Sequence, residues 1–231
     1  KLMRTERPHA TDSEDQNMWQ SIREGLTYVW HDELLRTIFL VIAAISVLSI
    51  APINLGVPVI SDERMPNGAA AFGILMSAYG AGSLIGIILS GVLPKPPPNR
   101  LGTILFSAVG IIGLLMMGLA FSYSLLSAGL LLAAIGLLDG WIIIQFTTWL
   151  QIRSPEALLG RIMALLMFAF IGLAPVANTV LGWLIEWNLV AIIVISGALL
   201  ALISFWAAFQ PNIRNMGTAV SPKLEQSSEG I

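Results

Sequence analysis

The sequence predicts an all-α membrane protein with six transmembrane helices, and two observations carry this prediction. Hydrophobic residues make up 56% of the 231 residues and charged residues only 11%, whereas a soluble domain usually carries about 25% charged residues. The charges also leave long gaps, each longer than the roughly 20 apolar residues that a helix needs to cross the hydrocarbon core of a membrane. This composition excludes a disordered chain, a nucleic-acid binder and a typical soluble enzyme.

Five runs with almost no charge define the predicted spans. Four of them hold one helix each, whereas the run over 101–152, with Asp139 as its only charge, would be about 78 Å long as a single helix and must fold back. Ser122-Tyr123-Ser124 is the predicted turn. The runs are apolar on all sides, so helices rather than membrane strands satisfy their backbone groups. The predicted spans are 37–59, 68–93, 101–121, 125–150, 162–184 and 188–209.

Segments of different character flank the spans. Residues 1–18 are polar and are predicted to form a linker. Apolar residues then recur at helical spacing among charged ones over 19–35, which predicts an amphipathic helix on the membrane surface. The transmembrane domain follows over 36–210, and 211–231 form a tail. A polar segment and a surface helix ahead of the first span indicate the second part of a longer protein.

The positive charges predict the orientation of the chain. The sequence has 12 lysine and arginine residues. All of them except Arg64 fall in the lead segment, the second and fourth loops or the tail. The positive-inside rule places that side in the cytoplasm. Both termini are then cytoplasmic, as an even number of spans requires.

No cofactor or metal is predicted. The sequence contains no cysteine, and its two histidines, His9 and His31, lie outside the apolar runs. A thiolate site, or a histidine-based zinc or haem site inside the membrane, is therefore not expected.

Small residues form stripes on two of the predicted spans, and such stripes let helix backbones approach closely. We expect them to pack helix against helix, while a sliding contact between helices that rock is the open alternative. The two stripes are Ala78, Gly82, Gly86 and Ser90 in the second span and Gly129, Ala133, Gly136 and Gly140 in the fourth.

Asp139 is the one charge well inside a predicted span. It lies about 21 Å from Leu125, past the middle of a hydrocarbon core that is ~30 Å thick. A charge there costs roughly 2.5–3.5 kcal/mol on insertion scales, so it usually faces a cavity or a partner. A carboxyl group that exchanges a proton could couple transport to protons. The alternative is structural, since Asp139 lies beside the small-residue stripe and could pin two helices together.

Other polar groups near the middle of the membrane complete the predicted substrate and proton pathway. Trp141 and Gln145 share a second face of the fourth span with Thr148, and such a face suits an amphipathic organic solute. In the alternative, Trp141 faces lipid and Gln145 bonds a neighbouring helix. The predicted pathway residues are Asp139, Trp141, Gln145, Asn54, Tyr79 and Asn178.

Several stretches resemble known transporter segments. The stretch 73–86, GILMSAYGAGSLIG, resembles the eighth span of exporters of the major facilitator superfamily, and 22–30, IREGLTYVW, resembles the helix before their seventh span. The closest branch is the drug and siderophore exporters, of the macrolide-efflux and enterobactin-exporter types. The acidic residue of the family's loop motif is absent, since Pro94 and Lys95 stand around its place. The residues that resemble the cytoplasmic loop motifs are Gly91, Lys95, Arg100, Gly102, Gly160 and Arg161.

The resemblance implies a twelve-helix bundle of two six-helix halves, of which this chain is the C-terminal one. Its partners would be the missing N-terminal half, the lipid bilayer and a small-molecule substrate, with no nucleic acid. The implied function is proton-coupled export of a mainly apolar drug-like or siderophore-like molecule by alternating access, in a bacterial inner membrane.

Two other classes of protein stay open. A membrane enzyme would need a second intramembrane acid or a histidine, and the spans contain neither. A non-transporting six-span subunit or a channel-like assembly partner is the alternative, although no helix shows the continuous polar stripe that a pore needs.

Overall fold

A computed structural model describes residues 27, 30, 31, 33–65, 67–154, 159–167, 174–210 and 213. These residues are almost entirely helical and contain no strand, so the predicted all-α membrane fold is confirmed. A π-helical turn at Pro52–Gly56 joins the first two helices, and a 3₁₀ turn at Pro98–Arg100 precedes the fourth. The helices are α1 Glu33–Ala51, α2 Val57–Arg64, α3 Gly68–Val92, α4 Leu101–Ala120, α5 Leu125–Arg153, α6 Leu159–Met167 and α7 Ala174–Phe209.

Five helical segments within the described residues are long and apolar enough to cross a membrane. The predicted fifth span is covered only in part, because residues 168–173 lie outside the described residues. The same holds for the predicted linker over 1–18 and for most of the surface helix and the tail. The six-span count therefore stays a prediction. The five segments are Phe39–Arg64, Gly68–Val92, Pro98–Ala120, Leu125–Arg153 and Trp187–Phe209.

The first membrane segment is interrupted by the π-helical turn. Pro52 cannot donate a backbone hydrogen bond, and a proline inside a helix displaces the turn before it. The chain accommodates this residue with the wider turn over Pro52–Gly56 before α2 continues. Gly56 lies against Ile193 of α7, where an added Cβ would be 2.9 Å from Ile193 Cδ1. The interruption is therefore packed against the last membrane segment.

The backbones of helices α3 and α5 approach each other closely. At four glycines an added Cβ would overlap a backbone carbonyl oxygen of the other helix. These glycines belong to the two small-residue stripes, so the prediction that the stripes pack helix against helix is confirmed. The contacts are Gly82 with Ala133, Gly86 with Leu137, Gly136 with Tyr79 and Gly140 with Ser83.

Helix α7 changes direction at Asn188. The backbone of Asn188 is extended, with φ −164° and ψ 96°. Its side-chain Oδ1 accepts a hydrogen bond from the backbone N–H of Ala191 at 3.0 Å, which caps the helical segment that follows. The predicted fifth span ends at residue 184 and the predicted sixth span begins at 188. The break at Asn188 therefore lies where the sixth span was predicted to begin.

Arg64 joins the ends of the first and third membrane segments. Its guanidinium donates hydrogen bonds to the carbonyl oxygens of Ala120, at 2.8 Å, and Ser122, at 3.4 Å. It also lies 4.8 Å from the centre of the Tyr123 ring. The Ala120 carbonyl lies at the C-terminal end of α4, where a cation is favourable, and Ser122 lies in the turn that follows. The contact joins the end of the first membrane segment to the end of α4, and the order of the spans predicts that both ends lie on the outer side of the membrane.

Candidate functional site

A cavity of about 340 Å³ lies between the first membrane segment, α3, α4 and α5. Its wall is mainly apolar and comes from both buried hydrophobic clusters of the fold, with Phe106 and Phe146 from one and Ile112 and Ile135 from the other. Five polar side chains interrupt this apolar wall. They are Ser46, Ser49, Asn54, Tyr79 and Asp139.

Asp139 and Tyr79 form the polar centre of this cavity. The hydroxyl of Tyr79 on α3 donates a hydrogen bond to Oδ2 of Asp139 on α5 at 2.7 Å. This distance is typical of an O–H···O hydrogen bond. Oδ1 of Asp139 forms no hydrogen bond with any described residue, and the side chain is solvent-accessible. The carboxyl group is therefore anchored on one oxygen and open to the cavity on the other.

The glycine contacts explain how the two side chains meet. The carbonyl of Tyr79 lies directly against Gly136, and that of Ser83 lies against Gly140. Gly136, Asp139 and Gly140 lie within little more than one helical turn and share one side of α5. The close approach of the backbones thus carries the Tyr79 ring to the carboxyl group.

The first membrane segment contributes three polar side chains to the wall. Asn54 stands in the π-helical turn and is exposed. The Ser46 hydroxyl is buried, and no described residue forms a hydrogen bond with it. Sequence reasoning left Ser46 and Ser49 aside, because serines in helices usually bond their own helix carbonyls. The one available signal was that both share a broad helix face with Asn54.

Three of the predicted pathway residues lie elsewhere. Gln145 faces a second groove with Thr148, at the end of α5 that is predicted to be cytoplasmic. Trp141 is half-buried and packs against the hydrophobic cluster around Trp149. Asn178 lies on α7 with its Oδ1 buried and without a hydrogen bond to a described residue. The structure thus brings together Asp139, Tyr79 and Asn54, and separates Trp141, Gln145 and Asn178 from them.

The loop-motif residues lie at one end of the bundle and mostly face outward. Gly102 is the exception, because an added Cβ there would overlap the carbonyl oxygen of Ile213. The side chain of Arg161 lies outside the described residues. Within the described ranges, no three histidine, aspartate or glutamate side chains lie close enough to hold a metal ion. The exposed members of the motif are Gly91, Lys95, Arg100 and Gly160.

Comparison with models of protein families identifies the family of this chain. The sequence model of the Major Facilitator Superfamily matches residues 1–177, more than half of the chain. The chain belongs to the major facilitator superfamily. It is therefore an integral membrane protein of a transporter family and not an enzyme.

The curated relatives are efflux pumps. The chain is 29% identical over 161 residues to the multidrug efflux pump Tap of Mycobacterium bovis, and it matches Tap of Mycobacterium tuberculosis equally well. The match covers 69% of this chain and 37% of the relative. The chain thus spans little more than a third of the length of these relatives. No solved structure matches the chain.

Proposed function

We propose that this chain is the C-terminal six-span half of a proton-coupled exporter that moves mainly apolar organic molecules by alternating access. The similarity to a multidrug efflux pump supports export. The coverage of only 37% of that relative supports a larger complete protein, and the resemblance of 73–86 to the eighth span of the family supports a missing N-terminal half. The family resemblance supports a bacterial inner membrane, and the distribution of lysine and arginine supports cytoplasmic termini.

The observation that carries the proposal is the hydrogen-bonded Asp139–Tyr79 pair in a mainly apolar cavity. An apolar wall with a few polar groups is typical of sites that bind organic molecules of moderate size. Ser46 and Asn54 would supply hydrogen bonds to the polar part of the substrate. The volume of about 340 Å³ lies at the lower end of the usual range for such sites. The N-terminal half would enlarge the substrate pathway.

Asp139 is the proposed proton carrier. An acidic residue inside a membrane is costly, and such residues commonly serve as proton relays. In the proposed cycle, the carboxyl group takes up a proton from the outer side and releases it to the cytoplasm while the substrate moves outward. Tyr79 holds one carboxyl oxygen in place, and the open oxygen exchanges the proton or contacts the substrate.

The glycine contact between α3 and α5 holds Asp139 and Tyr79 in fixed positions relative to each other. Backbones that touch at four points cannot slide past each other without creating clashes or voids. We therefore propose that α3 and α5 move as one body, and that the rocking takes place between this half and the N-terminal half.

Dye efflux from cells tests the proposed function. The complete protein that contains this chain is expressed in a bacterial strain that lacks its own major efflux pumps, and the accumulation of a lipophilic fluorescent dye is measured. We expect lower accumulation than with the empty vector, and the difference should vanish when a protonophore is added. Equal accumulation, with the protein present in the membrane at normal levels, would instead support a non-transporting subunit.

A further inference from the structure

The central cavity carries acidic groups and no basic ones. Among the described residues that line it, the ionisable side chains are Asp139 and Tyr79, and no lysine, arginine or histidine is present. The rest of the wall is apolar except for two serines and Asn54. A site of this composition offers an opposite charge to a cation and a like charge to an anion.

The carboxyl group of Asp139 has one oxygen that a ligand can reach. Oδ2 accepts the hydrogen bond from Tyr79 at 2.7 Å, whereas Oδ1 forms no hydrogen bond with a described residue, and the side chain is exposed. The Tyr79 hydroxyl brings no positive charge, so it leaves the charge of an ionised carboxylate uncompensated. A carboxylate in apolar surroundings is costly unless it is paired with a cation.

The proposed transport cycle contains a state in which this pairing is needed. In that cycle Asp139 releases its proton to the cytoplasm while the substrate moves outward, so the substrate meets the ionised carboxylate. A positively charged group of the substrate would neutralise the carboxylate in this state, as the proton does in the other. A neutral or acidic substrate would leave the charge unpaired.

The wall around Asp139 suits the apolar part of such a substrate. Phe106 on α4 and Phe146 on α5 both line the cavity, and aromatic rings attract cations and pack favourably against other rings. Ile112 and Ile135 add aliphatic surface. The cavity therefore combines one acidic group with a surface for apolar and aryl groups.

We propose that the central cavity selects lipophilic organic cations. The positive charge of the substrate lies against Oδ1 of Asp139, and its apolar or aryl groups pack against Phe106 and Phe146. This inference rests on the proposed function and narrows its substrate class. It favours a basic drug-like molecule over a siderophore-like one, since such iron chelators bind the metal through acidic oxygen groups.

Two ions of similar shape and opposite charge test the proposal. Tetraphenylphosphonium and tetraphenylborate both carry four phenyl groups around a central atom and differ mainly in the sign of the charge. Binding of each ion to the complete protein that contains this chain is measured by equilibrium dialysis in detergent, with empty micelles as the blank. We expect the cation to bind at least about thirtyfold more tightly than the anion, because like charges at a binding site are strongly unfavourable.

Three variants assign this preference to Asp139. Asp139→Asn should weaken binding of the cation at least about thirtyfold and leave binding of the anion no weaker. A collapsed cavity would lose both ions, so the opposite responses separate lost charge from lost structure. Asp139→Glu keeps the charge and should keep the preference. Asp62→Asn makes the same change at an exposed acid outside the cavity and should bind both ions as the wild type does.

The binding measurement is independent of transport. Equal binding of the two ions, tighter binding of the anion, or an unchanged affinity of Asp139→Asn for the cation would each overturn the proposal. A preference for the cation without dye efflux from cells would contradict the proposed function and leave the cation site standing. Dye efflux without a charge preference would contradict the cation site alone.

Discussion

The hydroxyl of Tyr79 donates a hydrogen bond to the carboxylate of Asp139 across the contact between α3 and α5, at 2.7 Å. The two residues are 60 positions apart in the chain. They meet because the carbonyl of Tyr79 lies directly against Gly136, about one turn before Asp139. The proposed proton carrier and the backbone contact between α3 and α5 are therefore parts of one arrangement.

Removal of this hydrogen bond should slow transport without unfolding the protein. Tyr79→Phe keeps the ring and removes only the donor to Asp139. A hydrogen bond to a charged group contributes roughly 1.5–3 kcal/mol, so we expect the initial rate of efflux to fall at least about tenfold. Tyr123→Phe is the matched control, because Tyr123 is exposed and contacts Arg64 through its ring. Equal efflux rates for the two variants would exclude a role of the Tyr79 hydroxyl.

The glycine contact predicts opposite effects for two similar substitutions in α3. In Gly86→Ala the new methyl group would meet the carbonyl of Leu137, whereas in Gly80→Ala it would enter open space. We expect Gly86→Ala to destabilise the protein by about 1–3 kcal/mol through overpacking. Gly80→Ala should leave the stability unchanged or raise it slightly, because alanine favours helix. Thermal melting in detergent measures both, and similar melting temperatures would contradict the observed helix contact.

Arg64 should stabilise the outer end of the bundle. Arg64→Ala removes the hydrogen bonds to the Ala120 and Ser122 carbonyls and the contact with the Tyr123 ring. We expect a loss of roughly 1.5–3 kcal/mol, which thermal melting reports as a drop of several degrees. Arg64→Lys should recover only part of it, because an ammonium group lacks the planar fork of a guanidinium. Glu63→Ala, at the exposed neighbouring position, should have little effect.

Cysteine labelling tests the predicted orientation. The chain contains no cysteine, so single cysteines can be introduced without further changes to it. Glu63 and Asn99 are both exposed and lie in the segments that precede and follow α3. We expect a membrane-impermeant maleimide to label Glu63→Cys in intact cells and to label Asn99→Cys only after the membrane is permeabilised. The reverse labelling pattern would show that the chain has the opposite orientation in the membrane.

The sequence predicted the elements of the fold better than their arrangement. The long run over 101–152, with a polar turn at Ser122-Tyr123-Ser124, predicted two helices, and the structure has α4 up to Ala120 and α5 from Leu125. These features are local, because the thickness of a membrane sets the length of every span. The π-helical turn at Pro52–Gly56 could not be predicted from such local features. Proline predicts an interruption, but it predicts neither the form of the turn nor its contact with Ile193.

For the candidate site, too, the sequence predicted individual residues better than their arrangement. Asp139 and Gln145 were both predicted from α5, yet one lines the central cavity and the other the second groove. Helical spacing gives the angle between two side chains, but not what lies opposite each of them. The small-residue stripes on two spans predicted close helix contacts. Only the structure pairs the stripes with each other, and that pairing brings Tyr79 to Asp139.

The most direct test of the central claim is transport by Asp139→Asn in proteoliposomes. The complete protein, wild type or variant, is reconstituted, and a lipophilic substrate is followed with and without an imposed pH gradient. Asparagine keeps the size and an acceptor for Tyr79 but cannot exchange a proton. We expect the variant to equilibrate the substrate down its concentration gradient but not to accumulate it when the pH gradient is applied. Accumulation equal to that of the wild type would show that Asp139 does not carry the proton.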